Sequence, residues 1–228
     1  MSSAHPSAFE VGTFAGAAAE LHSRPLPATV TRQIWIFDVS RPAVVLGSSQ
    51  DPAIIDSEAC ATRGVDIVRR RSGGGLVLLE PGAQAWVDVV IPRDDRHWED
   101  DVSKAFGWLA EAWQSALSSL GISTEAVTGR LVVGRWGRLI CFAGRGPGEL
   151  LLGGSKVVGM SMRRTREGAR FQTTALAVWR PERLLPLLTP SSADPVELLE
   201  GIADAGGGLD LPPSSLSEAL VRELADRP

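Results

Sequence analysis

Three consecutive glycines at the end of a basic strand constrain this chain more than any other feature. The segment reads Arg69-Arg70-Arg71-Ser72-Gly73-Gly74-Gly75-Leu76-Val77. Adjacent residues without Cβ atoms let backbone N–H groups come close to a ligand. The arginines just before them are suited to neutralising a carboxylate or a phosphate. A second segment, Gly154-Ser155-Lys156-Val157-Val158-Gly159, follows about eighty residues later and sets one lysine between glycines inside an apolar run. Of the 23 basic residues, only Lys104 and Lys156 are lysine. A compact ammonium at 156 is therefore a departure from the chain's habit, and an ammonium does not substitute for a guanidinium in a small site.

The remaining bulk properties exclude more than they assign. A length of 228 residues suits one domain, with or without a small appendage. A net charge of −4 provides no global attraction to nucleic acid or to an anionic membrane, so the arginine cluster is a local feature. Two cysteines, Cys60 and Cys141, are too few for a disulfide framework, and reduced thiols are expected. No apolar run reaches the ~18 residues that span a bilayer, and Met1–Phe9 lacks the pattern of a secretory signal. The expected location is the cytoplasm. No His/Cys cluster has zinc spacing, so no metal site is expected, and no Walker lysine follows the glycines.

The pattern predicts helices over 8–22, 52–63, 98–120, 195–204 and 216–226. Strands are predicted at 33–39, 43–47 and 65–70, with a strand pair 76–80 and 85–92 around Pro81-Gly82. Further short strands are expected at 130–135, 138–143, 149–153, 156–163 and 170–179, with Arg166-Glu167-Gly168 as a hairpin tip. The organisation implied is an α+β domain with mixed or antiparallel sheets and helices on one side. Residues 1–180 form the main domain in this reading, and 181–228 a helical tail packed on it.

The two glycine-flanked segments together resemble the biotin/lipoate protein ligase superfamily, on its lipoate-protein ligase A and octanoyltransferase branch. The family pattern Arg-Arg-x-Ser/Thr-Gly-Gly-Gly-x-Val is matched at 69–77, and Lys-hydrophobic-x-Gly-x-Ala/Ser is matched at 156–161. Gly47-Ser48-Ser49-Gln50 resembles the family's Gly-x-x-Gln. The resemblance covers roughly residues 30–180 and implies a class II synthetase-like catalytic domain. It implies an acyl pocket walled by Arg70, Ser72, Gly73, Gly74, Gly75, Val77, Gly159 and Ser161, with Lys156 near the acyl carbonyl. Cys141, fifteen residues before Lys156, stands at the offset where one octanoyltransferase class carries a thioester-forming Cys-Phe pair. A cysteine in an apolar strand is also often a plain core residue.

Transfer of a lipoyl or octanoyl group to a lysine of a lipoyl carrier domain, or of a glycine-cleavage H-type protein, is the implied activity. Acyl carrier protein is the implied donor, and no cofactor is required. An ATP- and Mg²⁺-dependent ligase is the alternative, and a non-catalytic acyl- or carrier-binding homologue a third. The ligases carry Asn-Asp where Gly144-Arg145 stand here, which favours transfer from a carrier. The family's two histidine motifs are replaced by Leu79-Glu80 and Thr173-Thr174-Ala175.

Overall fold

Every residue of the strand Gln84–Pro92 is buried, and its side chains divide between two cores. Ala85, Val87, Val89 and Ile91 enter one cluster; Trp86 and Val90 enter another on the opposite face. Period-2 alternation on a strand covered from both sides requires layers above and below it. The computed structural model describes residues 8–190 and 193–225. His5 and the last residue of the predicted 216–226 helix lie outside them.

In chain order the elements are β1 (Glu10–Gly16), α1 (Ala18–Ser23), β2 (Gln33–Val39), β3 (Ala43–Leu46), α2 (Ser57–Thr62), β4 (Asp66–Arg69), β5 (Val77–Leu79) and β6 (Gln84–Pro92). There follow α3 (Gly107–Ser119), β7 (Glu125–Ala126), β8 (Leu150–Leu152), β9 (Ser155–Arg164), β10 (Gly168–Leu176), α4 (Pro195–Ile202) and α5 (Pro213–Ala225). A seven-stranded sheet has the order β1-β2-β6-β10-β9-β8-β7, and a three-stranded sheet the order β4-β3-β5. The large sheet is antiparallel except for the parallel pair β1–β2. The small sheet has one parallel and one antiparallel pair.

Helices α3 and α5 cover one face of the large sheet with Leu109, Trp113, Leu117, Leu216 and Leu220. The small sheet and α1 approach the other face. Along β3, Ala43 and Val45 turn toward the large sheet, while Val44 and Leu46 pack with Cys60 of α2 and Leu198 of α4. The mixed-sheet α+β expectation holds, but helices lie on both outer sides. Asp56 caps α2 through Ala59 N, and Asp194 caps α4 through the backbone N–H groups of Val196 and Glu197.

Four local expectations are corrected. The predicted 8–22 helix is a strand followed by a short helix, because Glu10–Gly16 finds a parallel partner in β2. The predicted pair 76–80/85–92 splits between sheets, since β5 pairs with β3 while β6 pairs with β2 and β10. The predicted 98–120 helix begins at Gly107; Asp101 instead accepts the Ser103 N–H and hydroxyl in a turn, leaving Val102 exposed. Segments 130–135 and 138–143 are not strands. The first makes one bridge, Val132 to Arg145, and Cys141–Ala143 is a single 3₁₀ turn.

The loop after β3 and the glycine loop after β4 touch backbone to backbone. A Cβ on Gly47 would sit 1.9 Å from Gly74 O, and one on Gly75 would lie 2.7 Å from Cys141 N. Gly47→Ala is therefore expected to destabilise the fold by about 2 kcal/mol or more, read as a lowered urea midpoint with an unchanged slope. A midpoint equal to that of the parent would mean that these loops part easily.

Candidate active site

A cavity of about 430 Å³ lies between the two sheets. It runs from an exposed rim, where Val102 and Leu131 stand, to a buried end formed by Val45, Leu79 and Trp86. All ten residues singled out from the sequence line it: Arg70, Ser72, Gly73, Gly74, Gly75, Val77, Cys141, Lys156, Gly159 and Ser161. The floor follows from sheet register. Trp86, Thr174 and Gly159 are successive neighbours across β6, β10 and β9, and Asp88, Gln172 and Ser161 form the adjacent row.

The glycine loop is arranged around Arg70, which is buried. Its guanidinium donates to Gly73 O at 3.2 and 2.8 Å and to Gly75 O at 2.8 Å, and it reaches Cys141 Sγ at 3.8 Å. Gly74 has a φ of +99°, which an L side chain rarely adopts, and a Cβ there would meet Arg70 at 2.9 Å. The three glycines thus permit the loop to fold over Arg70 and against the 3₁₀ turn, beyond the ligand access expected of them. Arg69 points elsewhere, donating to the carbonyls of Gly47, Ser48 and Gln50. Gln50 accepts Gly47 N–H and donates to Arg138 O and Leu139 O, tying this loop to the segment before Cys141.

Lys156 is buried, and its ammonium is fully engaged. Nζ donates to Cys141 O at 2.6 Å and to both Glu149 oxygens at 3.0 Å, with the Phe142 ring centroid 5.0 Å away. Glu149 also accepts the backbone N–H groups of Gly146 and Met160. The lysine thereby staples the Cys141 turn to β9. The Phe142 ring lies over Gly159, 3.3 Å from a Cβ position, so a side chain there would press on the ring.

Sequence reasoning missed the residues at the buried end. His22, from α1, lines the cavity and packs on Trp86 with ring centroids 4.3 Å apart. Leu79 and Thr174, from the two stretches where the family pattern carries histidine, line the same space. An imidazole therefore reaches the cavity from an element outside the aligned motifs. No local pattern around His22 announces this; the helix is placed by Arg170, which donates to the carbonyls of Leu21, His22 and Arg24.

Arg170 also donates to Asp88 at 2.5 Å, and Trp86 Nε1 donates to the same carboxylate at 2.8 Å. Complete burial raises the Asp88 pKa to about 6 against the opposing pull of Arg170 and of hydrogen bonds from Arg170, Trp86 and Gln172. Burial, then Arg170 and Arg70, push His22 down to about 3, so its ring is neutral at pH 7. Gln172 lies across from Asp88 in the sheet, and its Nε2 meets His22 Nδ1 at 3.4 Å.

The carboxylate lining the cavity does not fit a Mg²⁺ ion. Glu149 already holds Lys156 and two backbone N–H groups. Arg145, at one of the positions where ligases have Asn-Asp, donates to Gly154 O. Among the described residues no group of three or more His, Cys, Asp or Glu side chains is placed to hold a metal. None of the helices among them is long and apolar enough to cross a membrane.

Residues 18–197 match the model of the lipoyl protein ligase A/B catalytic domain. The chain belongs to that family. No curated protein matches it by sequence. Among solved structures, it is similar to a bi-partite lipoate protein ligase of Thermoplasma acidophilum, solved as part of a lipoylation system with its E2 lipoyl domain. That match has a TM-score of 0.72 at 16% identity, covering 98% of this chain and 84% of the other. It is similar to a lipoate-protein ligase A bound with ATP (TM-score 0.60, 17% identity, 96% and 94% covered). It is also similar to P. falciparum LipL1 in complex with lipoate (TM-score 0.65, 12% identity, 95% and 60% covered). At these identities the likeness is one of fold.

Two outcomes follow from the buried charges. Lys156→Met leaves the Glu149 carboxyl buried without its partner and should cost about 3–5 kcal/mol in urea unfolding, with part recovered in the Glu149→Gln/Lys156→Met double variant. A single variant as stable as the parent would show that the pair opens to solvent. For His22, the folded pKa lies below the unfolded value of 6.5. The unfolded chain then binds the proton more readily, and stability falls as pH drops through this window. Asp88, raised above its unfolded value of 3.8, acts in the opposite sense and gains stability as pH falls through about 6. His22→Phe removes only the first effect. Between pH 7.5 and pH 5 it should lose about 2 kcal/mol less stability than the parent, or gain correspondingly more. Parallel stability curves for the two proteins would contradict the burial of this imidazole.

Proposed function

We propose that this protein transfers a lipoyl or octanoyl group to a lysine of a lipoyl carrier domain through a thioester on Cys141. The observation that carries the reading is the position of Cys141. Its sulfur lines an apolar cavity beside the Arg70 guanidinium, while its own carbonyl is held by Lys156. A nucleophile set at the wall of an acyl-sized cavity next to a fixed positive charge is the arrangement that acyl transfer requires.

In the first half-reaction, the Cys141 thiolate attacks the carbonyl of an acyl thioester presented by an acyl carrier protein. A new C–S bond forms at Cys141, the old one breaks, and the carrier thiolate leaves and takes up a proton. In the second, the neutral amine of a carrier-domain lysine attacks the Cys141 thioester. An amide C–N bond forms, the Cys141–acyl bond breaks, and the amine proton passes to the departing thiolate or to solvent. Arg70 faces the negative charge that develops in both steps. Lys156 acts in this scheme by fixing the turn that carries Cys141, and its positive charge lies one peptide carbonyl away from the reacting atoms. The apolar wall of Val45, Val77, Leu79 and Trp86 takes the acyl chain. A lipoyl domain or a glycine-cleavage H-type protein is the acceptor in this reading, and no ATP is consumed.

Incubation with octanoyl acyl carrier protein should add one acyl mass to the intact chain, removable by hydroxylamine at neutral pH. Cys141→Ser should abolish transfer, or leave a slower, hydroxylamine-resistant ester, whereas Cys60→Ser, buried behind the small sheet, should behave as the parent does. A fully active Cys141→Ser protein whose turnover requires ATP and Mg²⁺ would replace this mechanism with that of a ligase.

A further inference from the structure

Two guanidinium groups, Arg71 and Arg163, stand near each other beside the cavity without a counter-charge. Arg163 lies on β9 directly opposite Arg170 of β10, and opposite residues of an antiparallel pair share a face. That face is the cavity floor: Arg170 reaches Asp88 on it, and Ser161, two residues before Arg163, lines the cavity. Arg71 belongs to the roof, between Arg70 and Ser72. The Ser72 hydroxyl is bonded to Ser161 and to Gln172, which draws the roof at this point down onto the same stretch of β9. Arg71 is exposed and Arg163 half-buried. Neither guanidinium has a hydrogen-bond or ion-pair partner among the described residues. Burial, and after it the charges of Arg71 and Arg170, lower the Arg163 pKa. Asp88 meets the Arg170 charge at 2.5 Å, whereas no carboxylate meets Arg71 or Arg163. Like charges held together repel, and two convergent guanidinium groups are suited to an anion with several oxygens, a phosphate above all.

The position of the pair relative to Cys141 narrows the choice of anion. Gly159, beneath the Phe142 ring, marks the reacting end. Arg163 is four residues further along β9, about 13 Å away. It lies toward the open rim, since the neighbouring Arg164 donates to Glu99 O and Asp100 O and so fixes the turn that carries exposed Val102. In the acyl-transfer reading the chain points from Cys141 toward Val45, Leu79 and Trp86. The arm that delivers it must therefore extend the other way, toward the rim. In acyl carrier proteins and in coenzyme A that arm is pantetheine, which ends in a phosphate. About thirteen bonds separate its sulfur from the phosphorus, equivalent to a little over four residues of extended chain, or roughly 15 Å. The arm thus matches the separation between the reacting end and the arginine pair.

We propose that Arg71 and Arg163 form a subsite for the phosphate of a pantetheine-bearing acyl donor. The inference rests on the acyl-transfer reading above and adds to it how the donor is recognised. The two arginines hold the phosphate at the rim, and the length of the arm then sets the thioester at Cys141.

The test compares the octanoyl thioesters of pantetheine, phosphopantetheine, coenzyme A and acyl carrier protein as donors to the full chain, with acylation followed by intact mass. In the parent, kcat/KM for the phosphopantetheine donor should exceed that for the pantetheine donor about tenfold or more. In Arg71→Gln/Arg163→Gln that ratio should fall toward unity. The variant removes two charges that repel each other, so its urea midpoint should be no lower than the parent's. Whichever of coenzyme A and the carrier protein loses more rate in the variant is the source of the phosphate. A loss with the carrier protein but not with phosphopantetheine would mean that the arginines meet the carrier's own acidic surface, and overturns the phosphate subsite. Equal rates for pantetheine and phosphopantetheine in the parent, or a ratio that the variant leaves unchanged, also overturn it while acyl transfer stands. No acylation by any of these donors overturns the acyl-transfer reading itself.

Discussion

The buried ammonium of Lys156 is the constraint on which the site depends. A charge removed from water must be met by acceptors at close range, and this one is met by three oxygens from two separate stretches of chain. Glu149 brings the segment before β8, and the Cys141 carbonyl brings the 3₁₀ turn. That turn in turn receives the glycine loop, through Cys141 N–H donating to Leu76 O and through the close pass of Gly75. Removing the ammonium would loosen each of these joins. The same interaction explains why a lysine appears here in a chain with only one other, Lys104. A guanidinium is a planar fork, and three acceptors converging on one atom suit a compact, rotatable donor.

Around that staple, the fold divides the labour between its two sheets. The large sheet provides a rigid floor whose rows are fixed by register, so Trp86, Thr174, Gln172 and Ser161 present themselves at set spacings. The small sheet provides the roof and carries the glycine loop that packs against the Cys141 turn. Glycines permit backbone contacts between roof loops that any Cβ would obstruct, at Gly47 against Gly74 above all. The cavity is what remains between floor and roof once those contacts are made.

What could be read from the sequence follows from this division. The roof motif is contiguous, Arg69 to Val77, and the floor lysine lies in a second contiguous run. Both were legible because a short segment carries each set of side chains, and all ten residues they supplied line one cavity. The buried end was not legible. His22 reaches it because Arg170, nearly 150 residues away, gathers three carbonyls at the end of α1, and no periodicity encodes a contact of that separation. The helix expected at β1 fails for the same reason, since its strand partner β2 is parallel and none of its own residues is buried. The β5–β6 pair failed differently: a turn signal at Pro81-Gly82 marks a reversal but does not say whether both strands remain in one sheet.

The distribution of charge is what supports the proposed thioester route. An adenylate would place a phosphate near Lys156, yet that ammonium is already neutralised by Glu149 and saturated by three acceptors. Freeing it means opening a buried ion pair, a change of about 3–5 kcal/mol if Glu149 stays buried. Arg70 needs no such change. It reaches the Cys141 sulfur at 3.8 Å while still holding Gly73 O and Gly75 O, so its charge lies beside that sulfur in the resting arrangement. Charge that is oriented before the reaction stabilises a developing anion without reorganisation. This favours the proposed route, with negative charge at the sulfur and the acyl oxygen, over one with phosphate at the lysine. The proposed thioester route would use the positive group that is available, and leave intact the one that holds the structure together.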